Sequence, residues 1–205
     1  MSFPIVCRTA VAVSIAAVSS FAQGVFVYDQ QAADENTIGG FAAAIQPNQP
    51  VGQSFTPTIT SVGFIRLKLS DSAINGLGAT VYLNLRSDSI SGPILATSDS
   101  VVMPDGFAGY PNFYFVTPVP VTPGTTYFLD VIASGDLWAI TGYNTYNYAG
   151  GTAFGNGIAN PASDLWFREG IVVPEPSLEA LFLVCGIGSV HRLWKRRRYQ
   201  SATSL

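Results

Sequence analysis

The sequence predicts an all-β chain, an antiparallel β-sandwich of jelly-roll type, flanked by an N-terminal signal peptide and a C-terminal apolar helix. Three observations lead there. Aliphatic residues recur with period two in short runs. Turn-forming Gly, Pro, Asn and Asp pairs separate those runs. Helical periodicity over any long window is absent. Period-two alternation with one apolar face marks strands that are buried on one side only.

Taken in chain order, the first strand is expected over Gly24–Tyr28 and the second over Gly52–Thr56. In Ile65-Arg66-Leu67-Lys68-Leu69 the aliphatics face one way and the bases the other. Thr80–Arg86 repeats the pattern with Val81, Leu83 and Leu85 inward. Strands over Ile94–Val102 and Phe113–Thr117 follow, then Thr126–Val131 with Tyr127, Leu129 and Val131 inward. Trp138–Tyr143 and Asp164–Val172 complete the set. Asn75-Gly76, Ser91-Gly92-Pro93, Pro104-Asp105-Gly106, Pro123-Gly124, Ser134-Gly135-Asp136 and Gly150-Gly151 supply the turns. A body of this size buries a sufficient core without disulfides. The two cysteines, Cys7 and Cys185, lie outside it.

The ends read as addresses. Arg8, an apolar run from Thr9 to Val18 and the small residues Ser20 and Ala22 form a secretory signal, with cleavage after Ala22. At the other end Val173-Pro174-Glu175-Pro176-Ser177 precedes an apolar segment and the basic cluster Lys195, Arg196, Arg197 and Arg198. This order resembles the PEP-CTERM sorting signal of exported bacterial proteins. The resemblance implies recognition of Pro174, Glu175 and Pro176 by an exosortase-type processing enzyme, in a Gram-negative-type host that makes exopolysaccharide. The physics agrees. The two prolines keep the triplet extended, and the basic cluster acts as a cytoplasmic stop. Glu179, His191 and Arg192 leave only Ala180–Val190 uninterrupted, short of the roughly 20 residues of a full span. Such a segment suits a temporary inner-membrane contact. The expected organisation is a signal peptide over 1–22, a sandwich over 23–172, a sorting signal over 173–198 and a cytoplasmic tail over 199–205. The precursor is expected to be membrane-held, and the product to reach the cell surface or extracellular matrix.

Within the body, short motifs resemble a group of jelly-roll domains of secreted bacterial proteins, related in shape to carbohydrate-binding modules. These are Gln53-Ser54-Phe55-Thr56, then Val121-Thr122-Pro123-Gly124-Thr125-Thr126-Tyr127, then Tyr148-Ala149-Gly150-Gly151 followed by Asp164-Leu165-Trp166-Phe167-Arg168. The group has no single activity, so the resemblance implies a fold and not a function.

Between Asp29 and Glu169 the body carries four basic and eleven acidic residues, a net charge of −7. That excludes a nucleic-acid partner, which needs a basic footprint. The one histidine, His191, lies in the tail. The body therefore has no His-based triad, no Cys nucleophile and no His or Cys zinc site. Carboxylates remain. Two facing across a groove would suit glycoside hydrolysis, but most acids here adjoin Gly, Ser or Asn, where Asp caps turns. No cofactor is required. Asp29, Asp34, Glu35 and Asn36, with Asp164, form an oxygen-rich set that suits a structural calcium ion; the alternative is a polar loop. Tyr143, Tyr146 and Tyr148, interleaved with Asn, are the candidate sugar contacts, whereas Trp138 and Trp166 are expected in the core. The sequence thus favours a non-enzymatic exported surface or matrix protein associated with exopolysaccharide. A carbohydrate-binding module and a secreted glycoside-active enzyme are the alternatives.

Overall fold

The computed structural model describes residues 24–144 and 148–174. The expected signal peptide, Tyr146, Glu175, Pro176, the apolar segment and Lys195–Arg198 lie outside the described residues. Residues Gly24–Val173 form one compact unit. Its strands pair antiparallel throughout, and no α-helix occurs among the described residues.

Three sheets share the core. The first holds β1 (Val25–Gln31), β16 (Phe167–Val173), β4 (Ser61–Leu67) and β10 (Asn112–Pro120), in that order. The second is built on β3 (Gly52–Phe55), β11 (Tyr127–Gly135) and β6 (Ala79–Arg86). At its margins stand β13 (Ala153–Gly155), β14 (Ile158–Asn160), β7 (Ile94–Thr97) and β8 (Val101–Met103). The third gathers β15 (Asp164–Leu165), β5 (Leu69–Asp71), β9 (Ala108–Gly109) and β2 (Phe41–Ala44) around β12 (Trp138–Tyr143). One apolar cluster joins them: Ile65, Leu67, Phe113 and Phe167 from the first, Phe55, Leu83, Leu85 and Leu129 from the second, Leu69, Trp138 and Ile140 from the third. The inward sets expected from alternation are the buried ones. Ile65, Leu67, Leu69, Val81, Leu83, Leu85, Leu129 and Val131 have no solvent exposure. This is the antiparallel sandwich that alternation predicts.

Alternation does not show where a strand leaves its sheet. The segment expected to run from Ile65 to Leu69 breaks at Lys68: β4 belongs to the first sheet and β5 to the third. The segment from Asp164 to Val172 breaks in the same way at Trp166, between β15 and β16. At Tyr110-Pro111 the chain crosses from β9 to β10 between the same two sheets. Thr141 on β12 holds two of these crossings together. Its N–H donates to the Lys68 carbonyl (3.0 Å), and its carbonyl accepts from the Trp166 N–H (2.8 Å). One residue of one strand edge therefore satisfies the backbones of two strands that part there.

Polar side chains tie the layers where ladders cannot. Gln53, fully buried, donates to Asp164 Oδ1 (2.8 Å) and accepts from the Leu165 N–H (2.8 Å), joining β3 to β15. Asp164 Oδ2 accepts the Tyr148 N–H (3.1 Å). Gly151 lies against Ser54, where a Cβ would come within 1.8 Å of the Ser54 carbonyl oxygen. Any larger residue there would push the two segments apart. The motifs Gln53–Thr56, Tyr148–Gly151 and Asp164–Arg168, distant in sequence, thus meet as one structural unit.

Changing Leu83 to Asp is expected to unfold the body. A carboxylate at a site with no exposure costs several kcal/mol, comparable with the roughly 5–15 kcal/mol margin of a whole domain. Circular dichroism checks this; a cooperative wild-type melt in the variant would contradict it.

Candidate functional site

The outward face of the first sheet carries the chemistry. Register builds it in rows. One row runs across all four strands as Tyr28, Gly170, Phe64 and Tyr114. The next runs Gln31, Arg168, Arg66 and Asn112. Alternation then places Phe26 beyond the first row, and the sheet crossing places Lys68, Tyr110 and Trp166 beyond the second.

The aromatic half is close-packed. Phe64 is fully buried although it points away from the main core, because Phe26 and Tyr28 meet it edge-on at 4.9 and 5.6 Å between centroids. Tyr114 flanks it at 6.5 Å and is 39% exposed. Gly170 makes this possible. A Cβ there would fall 1.9 Å from the Val27 carbonyl oxygen, so no side chain fills the middle of the row.

The cationic half interlocks with the rings. The Arg168 guanidinium lies 3.4 Å over the Tyr28 ring, a cation–π contact of about 0.5–2 kcal/mol. Arg66 donates from Nη1 to the Tyr28 hydroxyl (2.9 Å) and from Nε to the Tyr110 carbonyl (3.3 Å). Glu35 bridges the two arginines, at 2.8 Å to Arg66 and 2.5 Å to Arg168. Lys68 Nζ stands 5.6 Å over the Tyr110 ring, and that ring packs 4.6 Å from Trp166. Arg66, Lys68 and Arg168 are three of the four basic residues in the body. The fourth, Arg86, sits in the second sheet, paired with buried Asp130 at 2.9 Å.

The residues singled out in the sequence are dispersed. Tyr143 ends β12 and packs into the small Ala33–Trp166 cluster, beside Tyr110 at the margin of this face. Tyr148 turns inward instead. Its ring meets Phe167 edge-on at 5.1 Å; its hydroxyl accepts from the Thr56 N–H (3.1 Å) and donates to Gln30 Oε1 (3.1 Å). Burial, with the Glu169, Asp29 and Asp164 carboxyls nearby, holds that hydroxyl at a pKa of about 12 despite the Thr56 amide. Its position is that of a core-facing residue, not of a ring offered to a sugar. Pro174 follows β16 directly.

The four acids expected around calcium do not converge; no group of three or more His, Cys, Asp or Glu side chains gathers among the described residues. Glu35 serves the arginines. Asp34 accepts from the Asn36 N–H (2.9 Å) and the Thr37 hydroxyl (3.1 Å), a local turn. Asp164 binds Gln53 and Tyr148, and burial raises its pKa. Asp71 and Asp105 likewise cap loops. Trp138 and Trp166 are fully buried, as expected.

Asp29 has a partner that alternation could not reveal. It sits at a bulge between Tyr28 and Gln30, which turns it toward Glu169 on β16. Glu169 has no exposure, and neither of its oxygens meets a well-aligned N–H or O–H donor. The Asp29 carboxyl is its acidic neighbour and disfavours its ionised form. Burial first, then Asp29, pushes Glu169 up to about 9. Burial also acts on Asp29, but hydrogen bonds from the Thr58 hydroxyl and amide outweigh it and hold Asp29 below its usual value. Glu169 lies inside the sandwich, whereas Asp29 is only partly buried and is held by Thr58.

No family model matches the chain, and no curated protein matches it. Among solved structures, a mutant VP2 protein of infectious bursal disease virus aligns over 85% of this chain and 46% of its own, at 16% identity and a TM-score of 0.32. A structure of the whole virus particle aligns over 85% and 45%, at 17% identity and 0.29. The chain spans less than half the length of these structures, and likeness at this level carries no argument about function.

The carboxyl pair has a pH signature. An unfolded glutamate ionises near its ordinary value of 4.5, the folded one near 9. Protonated Glu169 stabilises the fold fully below 4.5, and that contribution is lost as pH rises toward 9, by at most about 1.4 kcal/mol per pH unit. Asp29 acts oppositely and only below its usual 3.8, outside this window. Thermal melts should therefore fall between pH 5 and 9 in the wild type. Glu169→Gln should show a markedly shallower fall over that range, the remainder coming from Asp164 and Asp130, which burial also raises, and should melt higher than wild type at pH 8.

Proposed function

We propose that the chain is a non-enzymatic exported protein of the cell surface or extracellular matrix, sorted by the PEP-CTERM route and associated with exopolysaccharide. The observation that carries the second half of this reading is the outward face of the first sheet. It sets the exposed Tyr114 ring, backed by a packed aromatic row, next to hydrogen-bonding cations on a rigid sheet. Rings stack on the apolar faces of sugars, and guanidinium and hydroxyl groups bond their oxygens. The body is read as a jelly-roll variant of the observed sandwich.

The routing half rests on the two ends. The signal-like start and the ordered tail of Pro174-Glu175-Pro176, apolar segment and Lys195–Arg198 support export, a transient inner-membrane contact and an exosortase-type partner. Strand pairing is compatible with removal of both. Val25 pairs with Val173, so the residues where the flanking segments join the body are neighbours on one sheet. Trimming on either side leaves both strands whole.

Protein recovered from outside the cell should therefore have an intact mass that lacks 1–22 and the Arg196–Arg198 cluster. It should also be retarded in affinity electrophoresis through the host's own exopolysaccharide. A mass retaining either end contradicts the route, and free migration contradicts the association. Deleting Lys195–Arg198 should remove the membrane-held precursor from cell fractions.

A further inference from the structure

The geometry points to a carboxylate-bearing polysaccharide as the ligand of the outward face of the first sheet, held by Arg66, Lys68 and Arg168 between the Tyr114 and Tyr110 rings. This rests on the reading of the body as polysaccharide-associated and adds the chemical class and the site.

Charge placement is the main argument. The body is strongly acidic, yet three of its four cations share one face, and the fourth is neutralised in another sheet. Scattering would have been the expected outcome of self-repulsion. On this face Glu35 is the one carboxylate in contact with the arginines among the described residues. Lys68 has no ion-pair partner among them. Each arginine contacts Glu35 through Nη1, and the Nη2 groups find no acceptor among the described residues. The face therefore holds unspent positive charge, with the Arg66 and Arg168 side chains 25% and 14% exposed and their planar donors suited to carboxylates.

Preorganisation is the second argument. Arg168 is fixed on the Tyr28 ring and Arg66 by the Tyr28 hydroxyl and the Tyr110 carbonyl, so neither must be ordered on binding. The rings on either side explain why a sugar polymer fits better than a small anion. Tyr114 is 39% exposed and Val116 beyond it is 87% exposed, while Tyr110 is half-buried at the opposite margin. An anion alone would use none of that apolar surface. A neutral glycan would leave the cations unused. A chain of acidic sugars uses both, and many weak contacts along one polymer give retention.

The experiment is affinity electrophoresis of the purified secreted protein in gels containing polygalacturonate, alginate or dextran, at low and high salt. The inference expects retardation by an acidic polymer, none by dextran, and loss of retardation as salt rises. Lys68→Glu and Tyr114→Ala alter side chains at the rim of the face, and each should weaken retention about fivefold or more; Lys68→Glu should leave the thermal melt unchanged, whereas Tyr114→Ala also removes packing on Phe64 and Phe26. Arg168→Gln should weaken retention likewise, and a lowered melt in it or in Tyr114→Ala leaves Lys68→Glu decisive. Retention by dextran alone keeps polysaccharide association but overturns the acidic class. Retention by an acidic polymer that ignores Lys68→Glu and Tyr114→Ala overturns the site. Free migration in these gels and in the host's own exopolysaccharide overturns this inference and the reading beneath it.

Discussion

The double hydrogen bond of Thr141 is the point on which the architecture turns. A strand that leaves one sheet for another must strand its backbone groups, and stranding buried groups costs about 1–3 kcal/mol each. Here two strands leave the third sheet together, at Lys68 and at Trp166, and Thr141 satisfies one backbone group of each. That junction lets β4 and β16 lie side by side in the first sheet while β5 and β15 share the edge of β12 in the third. The adjacency of Arg66 and Arg168 follows from it directly, since each stands two residues beyond its crossing.

The interior is held by a second economy of polar groups. Gln53 acts as a short strand, giving a donor to Asp164 and an acceptor to Leu165 where no backbone neighbour reaches. Asp164 then orders Tyr148, and Tyr148 reaches Thr56 and Gln30. Beside this network Glu169 is fully buried without a cation, next to the partly exposed Asp29 carboxyl. A fully buried glutamate without a cation favours its neutral form, and the neighbouring carboxyl pushes it further that way. Of the acids singled out in the sequence, Asp34 closes a local turn, Glu35 bridges two arginines and Asp164 binds Gln53 and Tyr148.

The acidic body and its cationic face are reconciled by distance and stacking. At physiological salt, charges more than about 8 Å apart scarcely feel one another across solvent, so net charge says little about a local face. What matters there is that Glu35 bridges two guanidiniums while the Tyr28 ring supports one of them from below. Gly170 makes room for this by leaving the centre of the row empty of side chain.

Much of the fold was legible in the sequence, because a strand with one buried face must alternate. Val81, Leu83 and Leu85, or Ile65, Leu67 and Leu69, announce their inward side with no knowledge of the partner strand. The same alternation turned Arg66 and Lys68 outward and so already held half of the candidate face. Tyr148 was misleading, because a tyrosine between Asn and Gly reads as a loop residue whether its ring points out or in; Asp164 and Phe167, which turn it in, are distant in the chain. The bulge at Asp29 and the crossings at Lys68, Tyr110 and Trp166 leave no periodic trace, since each is a single residue whose backbone changes neighbours. The sequence by itself determined which residues face inward and that strands would carry them, as local sterics and burial act over two residues. Only the tertiary structure decided which outward residues share a row, because register is set by long-range pairing and each strand's partners are chosen by the whole sandwich.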